Sequence, residues 1–104
     1  MAEDFRASGA LSLIVLNYVG ALEAVDAELP KHVAWLTHHF AQGTFLVAGR
    51  RTPRTGGVIL ARGERAAVEQ IAATDPFVTS GVATAEVIPF SASLAAPELA
   101  ALLG

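Results

Sequence analysis

The sequence predicts one α+β domain, a four-stranded antiparallel sheet with two helices on one face, in the order β-α-β-β-α-β. Three observations predict it. The chain has 104 residues, the size of a single domain. Strand-length apolar runs alternate with helix-periodic stretches in that order. The second and third apolar runs are joined by a short polar turn, which makes them an antiparallel hairpin. This order is the split β-α-β, ferredoxin-like arrangement.

Residues 1–10 open the chain as a polar, small-residue arm expected to be loose. The domain proper is expected over 11–93. Residues 11–19 (LSLIVLNYV) are rich in Leu, Ile, Val and Tyr and suit a strand buried on both faces. Residues 20–24 then connect to a helix over 26–42. Leu29, Val33, Leu36 and Phe40 recur at helical spacing and form its apolar stripe. Pro30 is tolerated in a first turn, where its missing N–H would have no partner. That placement sets the helix start near Leu29. Gly43 suits the left-handed residue that ends a helix.

Residues 44–50 (TFLVAGR) and 57–62 (GVILAR) form the hairpin strands around the 51–56 turn, with Pro53 and Gly56. A second helix spans 64–74, with Val68, Ile71 and Ala72 inward. Residues 75–81 make a tight turn or a single helical turn. Residues 82–90 (VATAEVIPF) are the last strand, weakened at its end by Pro89. Residues 94–104 read as a short amphipathic C-terminal helix.

Composition bounds the function. Apolar residues make up 53% of the chain, and the mean hydropathy is +0.49. Helices cover only one face of such a sheet. The first strand is apolar at both alternations, so the uncovered face is expected to be apolar and to bury itself in a homodimer. The net charge is −3, and Arg50, Arg51 and Arg54 form no long basic stripe, which argues against nucleic-acid binding. There is no cysteine, which excludes disulfides and thiolate chemistry. The apolar run 10–19 lacks a basic flank and is too short to span a bilayer. A cytoplasmic protein without membrane attachment is the expectation.

The three histidines, His32, His38 and His39, all fall on the first helix. His32 and His39 lie about 20° apart around the axis but ~10 Å apart along it. That separation is too large for one ion, so no metal site is expected. No phosphate-binding loop is present either, since no helix follows Gly49, Gly56 or Gly57. No cofactor is expected.

A single imidazole suits acid/base work near neutral pH, and a carboxylate partner fixes its tautomer. His32 with Asp75 is the candidate pair. Each also has a plain structural reading: His32 as a partly buried core residue, and Asp75 before Pro76 as a helix N-cap. Trp35, one turn after His32, is a candidate pocket wall. Arg50 is a candidate for holding a substrate carboxylate, and Ser80, near Asp75, is a further candidate substrate contact.

The stretch LPKHVAWLTHHFAQGTFLVAGR carries Pro30, His32, Gly43 and Gly49. The stretch IAATDPFVTSGVATAEVIPF carries Asp75, Pro76, Phe77, Gly81, Pro89 and Phe90. Together, over residues 11–90, they resemble the two signatures of the YCII-related, or YciI-like, family. The resemblance implies a ferredoxin-like fold that dimerises through its sheet as a dimeric α/β barrel. It also implies a site built on His32 and Asp75, and a lyase- or dehydrochlorinase-like reaction on a small polar or aromatic molecule. A non-catalytic module that binds a small ligand is the alternative. Leu29 stands where many members carry Arg, and Arg50 where Pro is usual. These departures bear on the substrate more than on the fold.

Overall fold

The computed structural model describes residues 4–103. Strand β1 (Ala10–Tyr18) leads into helix α1 (Leu22–Ala41), and strands β2 (Phe45–Arg50) and β3 (Gly56–Arg62) follow. Helix α2 (Arg65–Ala72), the single turn α3 (Pro76–Thr79), strand β4 (Ala83–Ser91) and helix α4 (Pro97–Leu103) complete the chain. The sheet runs β2-β3-β1-β4, and every neighbouring pair is antiparallel.

The strand register sorts side chains between two faces. Ile14 lies opposite Ile59 and Val87, and Leu16 opposite Gly57 and Ala85. This is the helix-covered face. Its core includes Ile14, Leu16, Ile59 and Ala61 from the sheet, and Val25, Val68 and Phe77 from the helical layer. On the other face, Leu13 lies between Leu60 and Ile88, and Val15 between Val58 and Glu86. No helix of the α1–α3 layer covers that face, and Val47, Ile88 and Phe90 are exposed on it.

Two local features shape the side where the site forms. The β2–β3 pairing shifts register between Phe45 and Val47, leaving Leu46 as an extra residue. The bulge turns Phe45, Ala48 and Arg50 toward the helices, opposite Ala61, Ile59 and Gly57. At Gly56 the backbone comes so close to the Leu16 carbonyl that a Cβ would collide with it. Only glycine fits that approach.

Helix α1 corrects the sequence expectation at its start. It begins at Leu22, not near Leu29, so residues expected as a connection are helical and Pro30 lies inside the helix. The proline leaves the Asp26 carbonyl without its usual donor, and an interior proline costs about 3 kcal/mol. Val25, upstream of Pro30, is fully buried. Its burial contributes about 1.5–3 kcal/mol and holds the extra turn against the core. Gly43 ends α1 at φ 77°, in the left-handed region.

Residues 1–3 of the N-terminal arm lie outside the described residues. The rest runs beside the chain that follows β4: Ala7 N donates to Ser93 O, and Ala95 N donates to Phe5 O. Helix α4 has no buried residue. No helix among the described residues is long and apolar enough to cross a membrane.

Candidate functional site

His32 sits on the inward stripe of α1 between Leu29 and Leu36, and it is 8% exposed. Asp75 ends the short link after α2 and caps α3, with no exposed surface. The two meet at 2.8 Å, His32 Nδ1 to Asp75 Oδ1. A carboxylate only accepts, so Nδ1 carries the proton. In the neutral ring that choice leaves the lone pair on Nε2.

The local sequence explains why Asp75 is held there. Pro76 has no N–H, so the first amide of the turn able to donate is that of Phe77, which bonds Asp75 Oδ1 at 2.9 Å. One oxygen thus caps α3 and orients His32 together. The other, Oδ2, is buried without a partner among the described residues. Phe77 closes the other side: its ring stacks on the His32 imidazole with centroids 3.9 Å apart and planes 9° from parallel. Hydrogen bond and stack together fix the ring's position and tilt.

A cavity of about 230 Å³ opens between α1 and the β2-β3-β1 part of the sheet. Leu29, His32, Val33 and Leu36 form its helix wall, and Leu16, Gly57 and Ile59 form its floor. Tyr18, Arg50 and Phe77 also line it. Nδ1 is taken by Asp75, so Nε2 is the ring nitrogen free to act on a molecule in this space. Drug-sized pockets run to roughly 300–1,000 Å³, so the space suits a one-ring or short-chain compound.

The structure brings His32, Asp75 and Arg50 to this region, with His32 and Arg50 on the cavity wall. Trp35 and Ser80 are not among the lining residues. Trp35 points into the α1–α2 junction, where Nε1 donates to Thr74 Oγ1 at 2.9 Å and its ring meets the Phe45 ring at 5.1 Å. Ser80 Oγ donates back to Phe77 O at 3.4 Å. His38 is exposed, and the His39 ring packs near Trp35 and Phe45. Burial, with the charge of His38 behind it, lowers the pKa of His39. Among the described residues no three His, Cys, Asp or Glu side chains converge on a metal position.

Sequence reasoning missed the stack of Phe77 on His32. It also missed the cavity floor. The visible signal for the floor was Gly57 opposite Arg50 across the hairpin, a bare backbone position beside a long side chain.

The arrangement has relatives. The sequence profile of the YCII-related domain matches residues 10–91. Compared by sequence, no curated protein matches the chain. Among solved structures, a similar one is the 5-chloro-2-hydroxyhydroquinone dehydrochlorinase of Burkholderia phenoliruptrix AC1100 in complex with 2,5-dihydroxybenzoquinone. It is 22% identical, covers 75% of this chain and 90% of its own, and superposes with a TM-score of 0.64. That likeness shows the ferredoxin-like fold. A profile match across most of the chain, on the segment that builds both sheet and site, places this protein in the YCII-related domain family.

Proposed function

We propose that this chain is a small-molecule enzyme that uses His32 as a general acid/base, positioned by Asp75. The observation that carries the reading is the 2.8 Å bond at Nδ1, which leaves Nε2 as the working nitrogen beside the cavity. A positioned base of this kind contributes about 10²–10⁴-fold to a proton transfer. Asp75 accepts from Nδ1–H throughout and stabilises the imidazolium formed when Nε2 takes a proton.

The reaction class that fits is elimination. Nε2 removes a proton from a substrate O–H or C–H, and the electron pair left behind expels a leaving group such as halide from a neighbouring carbon. The imidazolium then releases the proton to solvent, so the substrate loses one H and one leaving group with no net redox change. The dehydrochlorinase with a similar fold supports this class. The mostly apolar lining supports a small aromatic substrate. The apolar uncovered sheet face supports a homodimer, and a cysteine-free chain fits the cytoplasm.

A non-catalytic ligand-binding module is the second reading. It is favoured by the lining itself, which among the described residues holds no Ser, Thr or carboxylate to assist His32. The ring nitrogen NMR shifts of His32, in the native protein and in Asp75→Asn, separate the two. The enzyme reading expects a ring protonated at Nδ1 in the native protein and a changed tautomer in Asp75→Asn. A free, unresponsive imidazole sinks the pair as a catalytic unit.

A further inference from the structure

We infer that the cavity selects an anionic ligand, a small flat molecule carrying one carboxylate or acidic phenolate, and that Arg50 is the residue that reads the charge. The inference rests on reading the cavity as the ligand site and adds its charge preference.

Three arginines cluster at this end of the hairpin, and they have different fates. Arg51 donates to Asn17 Oδ1 at 2.6 Å. Asn17 shares its face of β1 with Leu13 and Val15, so Arg51 is drawn to the side of the sheet away from α1. Arg54 donates to Asp26 Oδ1 at 2.6 Å and lies over the Tyr18 ring, 5.8 Å from its centroid. Arg50 lies on the helix side and lines the cavity, and among the described residues its side chain has no hydrogen bond or ion pair. Asp26 feels both Arg54 and Arg50, and both hold its carboxyl below the usual range. Arg54 is paired with Asp26, so the charge on the cavity wall is that of Arg50, on a protein whose net charge is −3.

Sheet geometry supplies the fit. Arg50, Gly57 and Leu16 lie in one row across β2, β3 and β1. Arg50 is thus two strands, roughly 10 Å, from Leu16. Gly57 between them has no side chain, so a flat molecule can rest on its backbone. One end then meets His32 and the other meets Arg50, whose planar fork matches two acceptor oxygens.

The test compares benzoate with benzamide, a near-isosteric pair differing in charge, by calorimetry on the native protein. Benzoate is expected to bind about tenfold tighter, the low end for a partly exposed charge-assisted contact. Arg50→Gln should remove the difference by weakening benzoate alone, and Arg50→Lys should restore part of it. Arg51→Gln, which carries the same charge change on the other face, should keep the difference. His32→Gln should also keep it, so a failed acid/base reading and a failed charge reading give different results. Equal binding of the two probes, no benzoate binding at millimolar concentration, or a preference that survives Arg50→Gln overturns the proposal. Arg50 is exposed, and a thermal melt of each variant confirms that it is folded before binding is read.

Discussion

The His32 imidazole lies flat on the Phe77 ring, 3.9 Å between centroids and 9° from parallel. Phe77 is also 1% exposed and packs edge-on against Tyr18 at 5.8 Å. One side chain thus joins the core, the α3 turn and the candidate base. Phe77→Ala is expected to cost about 3–5 kcal/mol, the usual range for emptying a buried phenylalanine site. Phe77→Leu keeps much of the volume and removes the flat partner. Its urea midpoint should therefore drop less, while the His32 ring resonances broaden or move. Unchanged His32 resonances in folded Phe77→Leu would show that the stack does not hold the ring.

Asp75 has two structural duties, and two substitutions separate them. Asp75→Asn keeps an oxygen for the Phe77 amide and so keeps a good cap. It should lose less stability than alanine does there, its NH2 standing in the unpartnered place of Oδ2, and lose most activity, because an amide no longer stabilises the imidazolium. Asp75→Ala removes both acceptors and strands two buried donors. The expected loss is about 2–4 kcal/mol, from the cap and the unsatisfied groups together. Equal stability of the two variants in a chemical denaturation series contradicts this account.

Trp35 was a sequence candidate for the pocket wall, and its indole instead ties α1 to the end of α2 through Thr74. Thr74 Oγ1 in turn donates to Ile71 O at 2.6 Å. Trp35→Phe should lower stability, with about 0.5–1.5 kcal/mol from the lost hydrogen bond. It should leave benzoate affinity as in the native protein. A large loss of affinity without a loss of stability reverses the assignment and returns Trp35 to the site.

His39 gives the acid limb of stability a definite sign. Its folded pKa lies below the ordinary 6.5, first because of burial and then because of His38. Below the ordinary value the unfolded chain takes up a proton that the folded chain resists, so stability falls as pH drops. The contribution is intact above pH 6.5 and is lost as pH falls through the lowered folded value. His39→Gln should therefore show a smaller decline in Tm between pH 7.5 and pH 5 than the native protein. A parallel decline in the two proteins assigns the acid sensitivity to other groups.

How far the sequence reaches depends on the range of the signal. Strand order, the hairpin and the Gly43 helix stop are local patterns, and the structure carries each of them. The 2.8 Å approach of His32 to Asp75 spans 43 positions, and the residues alone left both side chains with plain structural readings. It became legible through the spaced signatures around them. Pro30 misled because the local rule for proline was opposed by burial of Val25, a tertiary effect. The cavity and the Phe77 stack were not legible. They depend on how far α1 stands off the sheet, and no periodicity encodes that distance.

The uncovered sheet face makes the last prediction. Leu13, Val15, Val58 and Leu60 form an apolar patch there, and Val47 and Ile88 are 57% and 44% exposed at its edges. Patches of this kind mark association surfaces when they are contiguous. Ile88 lies directly opposite Leu13 on β4. Ile88→Lys would place a charge within a sheet-to-sheet contact, where its desolvation has no partner to offset it. In a lone chain the same lysine would stay in water at little cost. Sedimentation of the native chain is therefore expected to give a dimer at micromolar concentration, and Ile88→Lys a folded monomer. A native monomer, or a variant dimer of equal strength, removes the open face as the contact. In the second case the paired arm of residues 4–9 and 92–95, with exposed Phe5 and Leu94, becomes the next surface to test.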